Sequence, residues 1–218
     1  VSAVVLLAHG SPDPRSGAAV RSAAARLTAR SGRDVRVAFL DHDVPRLHDA
    51  VAGIPDDEVA VLPLLLSRAF HARVDVPQAV ADLDRHVELL DPLGHPPEVL
   101  DTVLRRSAGP VVVVAAGTAV DEERAAFAEA VSAAANRTGV LAEVAFLTGP
   151  GPSVVDGLAR SPRAAVLAWL LAPGRLLDSL HAAAREAGSE VVVPEGLLAS
   201  GELDDALLAR LATRPSLP

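Results

Sequence analysis

The chain repeats itself. Val37-Ala38-Phe39-Leu40 recurs as Val144-Ala145-Phe146-Leu147, and the same offset of 107 residues carries Val4 to Val111, Gly10 to Gly117 and Ser11 to Thr118. A third pair of runs, 61–66 and 166–171, aligns at an offset of 105. Whatever the first half builds, the second must therefore build again. The apolar runs at 3–8, 35–40, 58–66, 86–90, 110–115, 141–147, 164–171 and 190–193 are of strand length. They are continuous in Val and Leu, as strands covered on both faces are. Amphipathic segments separate them, at 15–31, 44–53, 74–85, 97–107, 120–137, 152–160, 174–187 and 202–212. Regular alternation of this kind gives a parallel sheet with helices on both faces. The expected fold class is α/β, with two similar flavodoxin-like βα halves, each a four-stranded parallel sheet flanked by helices. The halves are read as 1–107 and 108–218, joined near Ser107–Pro110.

Helix starts are read at Ser11 with Pro12, at Asp75 with Pro77 and at Pro173 with Gly174. Pro63, inside the third run, marks either a bulge or a strand start, and the sequence leaves the choice open.

Composition narrows the chemistry. Half of the 218 residues are hydrophobic but 2% are aromatic, so the core must be aliphatic. A net charge of −8 argues against a nucleic-acid backbone binder, which needs a basic face, and against anionic membranes. There is no Cys, which excludes disulfides and thiolate metal sites. Any metal must be held by imidazole nitrogen or carboxylate oxygen, ligands that suit divalent Fe, Co, Ni and Zn and discriminate poorly among them. The apolar runs fall well short of the roughly 20 residues a membrane span needs, and no signal peptide is visible, so the cytoplasm is the expected location.

Two histidines stand just beyond apolar runs of the first half: His9 in VVLLAHGSPDPR and His71 in AVLPLLLSRAFHARVDVP. In open α/β sheets ligands bind outside the carboxyl ends of the strands, where strand order reverses, and the cleft between the halves is the expected place. Two neutral imidazoles there can hold one divalent ion and leave coordination positions open, as a transfer site requires. Imidazole also accepts protons near neutral pH. Asp41 follows the second run directly and is the nearest carboxylate, as third ligand or proton acceptor. Asp43 and His42 are its rivals in the same loop, and a solvated acidic loop is an equal reading. Gly10 permits a tight turn after His9, and Ser11 can cap the following helix. Arg15, Arg68 and Arg73 could clamp carboxylates or be ordinary surface charge, and Ser67 lies beside them. His48, His86, His95 and His181 read as surface or packing residues, and Trp169 as core. No phosphate-cradling glycine loop and no G-x-S-x-G elbow is present, so nucleotide binding and nucleophilic catalysis have no support.

Four segments, LLAHGSPDPR (6–15), AFLD (38–41), PLLLSRAFHARVDVP (63–77) and PLGHPPEVL (92–100), span the first half in order. Together they resemble the sirohydrochlorin chelatases, a class II chelatase family, in the long bacterial form with two halves. The resemblance implies a chelatase-like fold and a lyase inserting Fe²⁺ or Co²⁺ into sirohydrochlorin, toward sirohaem or cobalamin. It implies that His9 and His71 bind the metal and take pyrrole protons. Asp41 falls where many members have the longer Glu. Ser11, Arg15, Ser67, Arg68 and Arg73 are the candidates for holding the macrocycle's carboxylates. The second half has Ala116 in place of His9 and Leu176 near the place of His71, so the active site is expected in the first half alone. No permanently bound cofactor is expected; the divalent metal, with Ni²⁺ as a further candidate, is a substrate. The other partner is sirohydrochlorin or a related tetrapyrrole, with no nucleic acid and no membrane, and a monomer is expected ahead of a dimer. The alternative is a non-catalytic protein that binds metal or tetrapyrrole for delivery.

Overall fold

Eight strands alternate with eight α-helices among the residues that the computed structural model describes, 3–67 and 71–212 without the side chains of residues 71 and 72. The first repeat comprises β1 (Ala3–Ala8), α1 (Pro14–Ser31), β2 (Val35–Phe39), α2 (Leu47–Ala52), β3 (Val59–Pro63), α3 (Val76–Ala81), β4 (Glu88–Leu89) and α4 (Pro97–Leu104). The second comprises β5 (Val111–Ala115), α5 (Asp121–Thr138), β6 (Ala142–Phe146), α6 (Val154–Arg160), β7 (Ala165–Ala168), α7 (Arg175–Glu186), β8 (Val191–Val192) and α8 (Asp204–Ala212). Every strand and helix expected from the alternation is present. Apart from β1, the strands are shorter than the apolar runs that announced them, and the third and seventh runs continue into buried loop residues such as Leu64, Trp169 and Leu170. Pro63 is the last residue of β3, so neither a bulge nor a strand start is needed to place it.

Both sheets are wholly parallel and have the same order, β2-β1-β3-β4 and β6-β5-β7-β8. The chain passes from β1 to β2 on one side and returns to β3 on the other. The carboxyl ends of β1 and β3 therefore flank the point where strand order reverses. The sheet of the first repeat is buried on both faces. Val5, Leu7, Val59 and Val61 pack with Leu47, Val51, Ile54 and Val76 on one face, while Val4 and Leu6 are fully buried between them in sequence. The second sheet repeats this with Val112, Val114, Val166 and Ala168 against Val154, Leu158, Leu177 and Leu180.

The compact units do not coincide with the repeats. One comprises Val1–Gly94 with Leu203–Pro218, the other His95–Glu202. The last helix of each repeat thus belongs to the other unit: α8 packs on α1, and α4 packs on α5. A bidentate ion pair fastens α8 in the first unit, with Arg26 donating to both carboxylate oxygens of Asp204 at 2.7 and 2.9 Å. In the second unit Arg137 of α5 donates to Asp101 of α4 at 2.8 Å. The boundary read near residue 107 puts α4 in the first half and α8 in the second, whereas by contact each lies in the other unit.

His95 opens the second unit as a packing residue. The Trp169 indole donates to its Nδ1 at 3.1 Å, and the Phe127 ring lies 4.9 Å from it centre to centre. An indole N–H can only donate, so Nδ1 must be the acceptor and the proton sits on Nε2. Burial pushes the His95 pKa down to about 4 from 6.5, against a small opposing pull from Glu123. In the unfolded chain this histidine takes a proton near pH 6.5; in the fold it resists until about 4. Above pH 6.5 it is neutral in both states and adds no pH dependence. As pH falls from about 6.5 to 4 the unfolded state gains a proton that the fold refuses, and roughly 3 kcal/mol of stability is lost. Urea unfolding across this range should show that decline, and it should flatten in His95→Gln, which can still accept from Trp169.

Candidate metal-handling site at the end of β1

Two loops are laced together at the carboxyl end of the first sheet. The Leu40 N–H donates to the Ala8 carbonyl at 2.9 Å, and the Asp41 N–H to the His9 carbonyl at 2.7 Å. Between them sits Gly10, at φ +93°, where an added Cβ would lie 1.7 Å from the Asp41 carbonyl oxygen. Only glycine satisfies both the left-handed backbone and the close approach. The second repeat keeps this lacing with the chemistry removed. Leu147 and Thr148 donate to Ala115 and Ala116, and Gly117, at φ +100°, passes 1.9 Å (as a Cβ) from the Thr148 carbonyl oxygen. His9 becomes Ala116 and Asp41 becomes Thr148.

His9 is half-buried one residue past β1. Its Nδ1 lies 3.2 Å from the Gly10 carbonyl oxygen. A carbonyl only accepts, so Nδ1 carries the proton in that contact and the lone pair is on Nε2. This is the tautomer that a metal or a pyrrole proton requires of a ligand held from behind.

The three rivals after β2 part company. Asp43 turns back onto α1, where Arg21 donates to it at 2.6 Å, and a Cβ on Gly17 would lie 2.0 Å from its carboxylate. Burial pushes its pKa up, but Arg21 and the Val44 N–H outweigh this and hold it below the usual carboxylate range. Asp41 is exposed, accepts from the His42 N–H at 2.8 Å and pairs with Arg46 at 3.2 Å. Those two donors, the backbone N–H first, lower its pKa. Arg46 also donates to the Leu40 carbonyl, which fixes it beside the loop. His42 adopts φ +61° and presents its ring to His9, with centroids 6.4 Å apart and planes tilted by 44°.

The remaining candidates are placed unevenly. Ser11 does not cap α1: its hydroxyl accepts from the Asp13 N–H at 3.1 Å, and Asp13 is the cap, accepting from the Arg15 N–H at 3.0 Å with Pro14 in the first turn. Arg15 pairs with the same Asp13 carboxylate at 2.6 Å. Asp75 precedes α3 but makes no side-chain cap, and Gly174 precedes α7. Ser67 is half-buried beyond β3, and Arg73 is exposed in a π turn, His71–Asp75, that leads into α3. Arg68 lies outside the described residues, as does the side chain of His71; the His71 backbone opens that turn. Among the described residues no three His, Asp or Glu side chains already converge as a metal cage. The concavity lined by Arg21, Val35, Arg36 and Pro45 runs along the outer edge of β2 and contains none of these residues. Its guanidiniums are engaged, Arg21 with Asp43 and Arg36 with Asp34 and the Gly53 carbonyl. No helix among the described residues is long and apolar enough to cross a membrane.

Residues 3–109 match the CbiX family model. No curated protein matches the chain. Among solved structures, CbiX, described as the terminal enzyme for biosynthesis of siroheme in denitrifying bacteria, superposes with a TM-score of 0.71 at 23% identity, over 98% of this chain and 100% of that one. A multi-domain protein from Deinococcus radiodurans, with structural similarity to chelatases and two additional domains, superposes with a TM-score of 0.77 at 18% identity. That alignment takes in 99% of this chain but 56% of the Deinococcus protein, so this chain spans about half its length. Both likenesses are of fold, and the fold is chelatase-like.

Proposed function

We propose, for a chain that belongs to the CbiX family, that it is a lyase inserting a divalent metal, Fe²⁺ or Co²⁺, into sirohydrochlorin. The observation that carries this reading is the placement of His9 at the β1/β3 reversal point of the repeat that matches the family, with its Nδ1 against the Gly10 carbonyl. The structural neighbour described as acting in siroheme biosynthesis supports the same substrate class.

The chemistry asks for little else. The metal-free macrocycle loses two pyrrole protons as the ion enters, and the products are the metallated pigment and two H⁺. The ion must be held by few donors, so that it can leave them, and a base must stand near the pyrrole nitrogens. In this reading His9 and His71 supply both, each holding the ion and then taking a proton. Arg73, Ser67 and Arg68 are the residues proposed to bind the macrocycle's carboxylates, while Arg15, bound to Asp13, stiffens the start of α1. Such a site turns over in the cytoplasm on the first repeat alone, since Ala116 has neither lone pair nor proton affinity.

The test is anaerobic. Sirohydrochlorin and Co²⁺ or Fe²⁺ are supplied in tenfold excess over protein and the visible spectrum is followed. Metallated pigment well beyond one equivalent per chain is expected. Binding of the pigment with no product above the uncatalysed yield would identify a delivery protein instead.

A further inference from the structure

We propose that His42, rather than Asp41, is the second described donor to the incoming ion, standing at the rim of the site beside His9. The inference deepens the proposed reading and rests on it for the metal's destination, but not for the metal site itself. Of the three polar residues that follow β2, two are already spoken for. Asp43 is bound to Arg21 and the Val44 N–H. Asp41 is bound to Arg46 and to the His42 N–H, and its side chain is the more exposed of the pair it makes with Arg46, at 54%. The His42 backbone is turned to φ +61°, a conformation that non-glycine residues adopt rarely, Asn, Asp and His more often than the rest. With that turn its ring lies within 6.4 Å of the His9 ring, centre to centre. The Asp41 carboxylate holds the turn by accepting the His42 N–H, and its other oxygen lies 3.5 Å from His42 Nε2. Asp41 thus acts as a positioning residue, orienting the imidazole that takes its expected place.

The spacing suits a shared ion. With metal–nitrogen bonds of about 2.1 Å, two imidazoles on one divalent ion have ring centres about 5 Å apart in a tetrahedral arrangement and about 6.4 Å when opposed. The His9 and His42 centroids are 6.4 Å apart, at the outer end of that range. The His42 side chain is 45% exposed, so a torsion about its own bonds closes the gap without moving the loop. Two neutral imidazoles also suit Co²⁺ or Fe²⁺ better than a carboxylate already paired with a guanidinium. An exposed donor next to a half-buried one gives the ion a path inward, from solvent to His42 to His9.

The experiment uses Co²⁺ alone, without pigment. Binding is titrated by the visible d–d spectrum for wild type, His42→Asn, Asp41→Asn, Asp43→Asn and His9→Ala. Asn tolerates the left-handed backbone, so His42→Asn removes the imidazole without straining the turn. The inference predicts Co²⁺ affinity lower by tenfold or more in His42→Asn and in His9→Ala, with a changed band shape, and less than threefold lower in Asp43→Asn. Asp41→Asn, which still accepts the N–H, should stay within about fivefold. Melting temperatures check that each variant is folded. Unchanged affinity in His42→Asn, a large loss in Asp41→Asn, or no Co²⁺ binding by wild type would each overturn the inference. If wild type binds Co²⁺ as described but produces no metallated sirohydrochlorin, the proposed activity fails while the His9–His42 donor pair stands.

Discussion

His9→Ala is expected to lower the rate of metal insertion by 10²- to 10⁴-fold while leaving the KM for sirohydrochlorin within a fewfold. The side chain is not part of the core; the residue is half-buried beyond β1, and its repeat partner is already alanine at position 116. The fold therefore tolerates the change, and melting temperature should move little. What is lost is the Nε2 lone pair, backed by the Gly10 carbonyl, which has no substitute on β1. Adding free imidazole to the variant should restore part of the rate, because a diffusible base replaces the missing acceptor but not its positioning. A drop in rate matched by an equal drop in folded protein would instead place His9 in the scaffold.

Gly10→Ala has the largest expected effect on stability. The methyl group would enter the space of the Asp41 carbonyl oxygen, 1.7 Å away, at φ +93°. The left-handed conformation alone costs an alanine about 1–2 kcal/mol. Separating the two laced loops adds the weakening of the Asp41-to-His9 backbone bond, for a total of roughly 3–4 kcal/mol. Gly117→Ala meets the same geometry against Thr148 and should be destabilising to a similar degree. The two variants should differ in function: per folded molecule, Gly10→Ala loses insertion activity because His9 and His42 are displaced, and Gly117→Ala keeps it. Urea midpoints and specific activities of the pair measure both halves of the prediction. A Gly10→Ala protein of unchanged stability would mean that the loops part freely.

The architecture was legible because it follows from period and repetition. Continuous Val and Leu runs separated by amphipathic segments allow few arrangements other than parallel sheets, and the offset of 107 residues announces two of them. The place of His9 was legible for the same reason, since the carboxyl end of a strand is a position in the sequence. Features set by side-chain direction were not. Ser11 and Asp13 are both good helix caps, and which one serves depends on where Pro14 starts the helix. Asp41, His42 and Asp43 are neighbours in sequence, and a single left-handed residue decides which of them meets His9. His95 and Trp169 are 74 residues apart, so the hydrogen bond that makes His95 a core residue leaves no local trace. The exchange of α4 and α8 between units depends on which surface each helix finds, and their sequences are compatible with either.

The central claim is that one repeat inserts metal and the other supports it. The most direct test is the initial rate of Co²⁺ insertion into sirohydrochlorin, under anaerobic conditions, for wild type and for the His9→Ala, His71→Ala double variant, each against a blank without protein. The account predicts a wild-type rate far above the blank and a folded double variant indistinguishable from it. A double variant that inserts metal as fast as wild type would contradict the account and move the chemistry away from the carboxyl ends of β1 and β3.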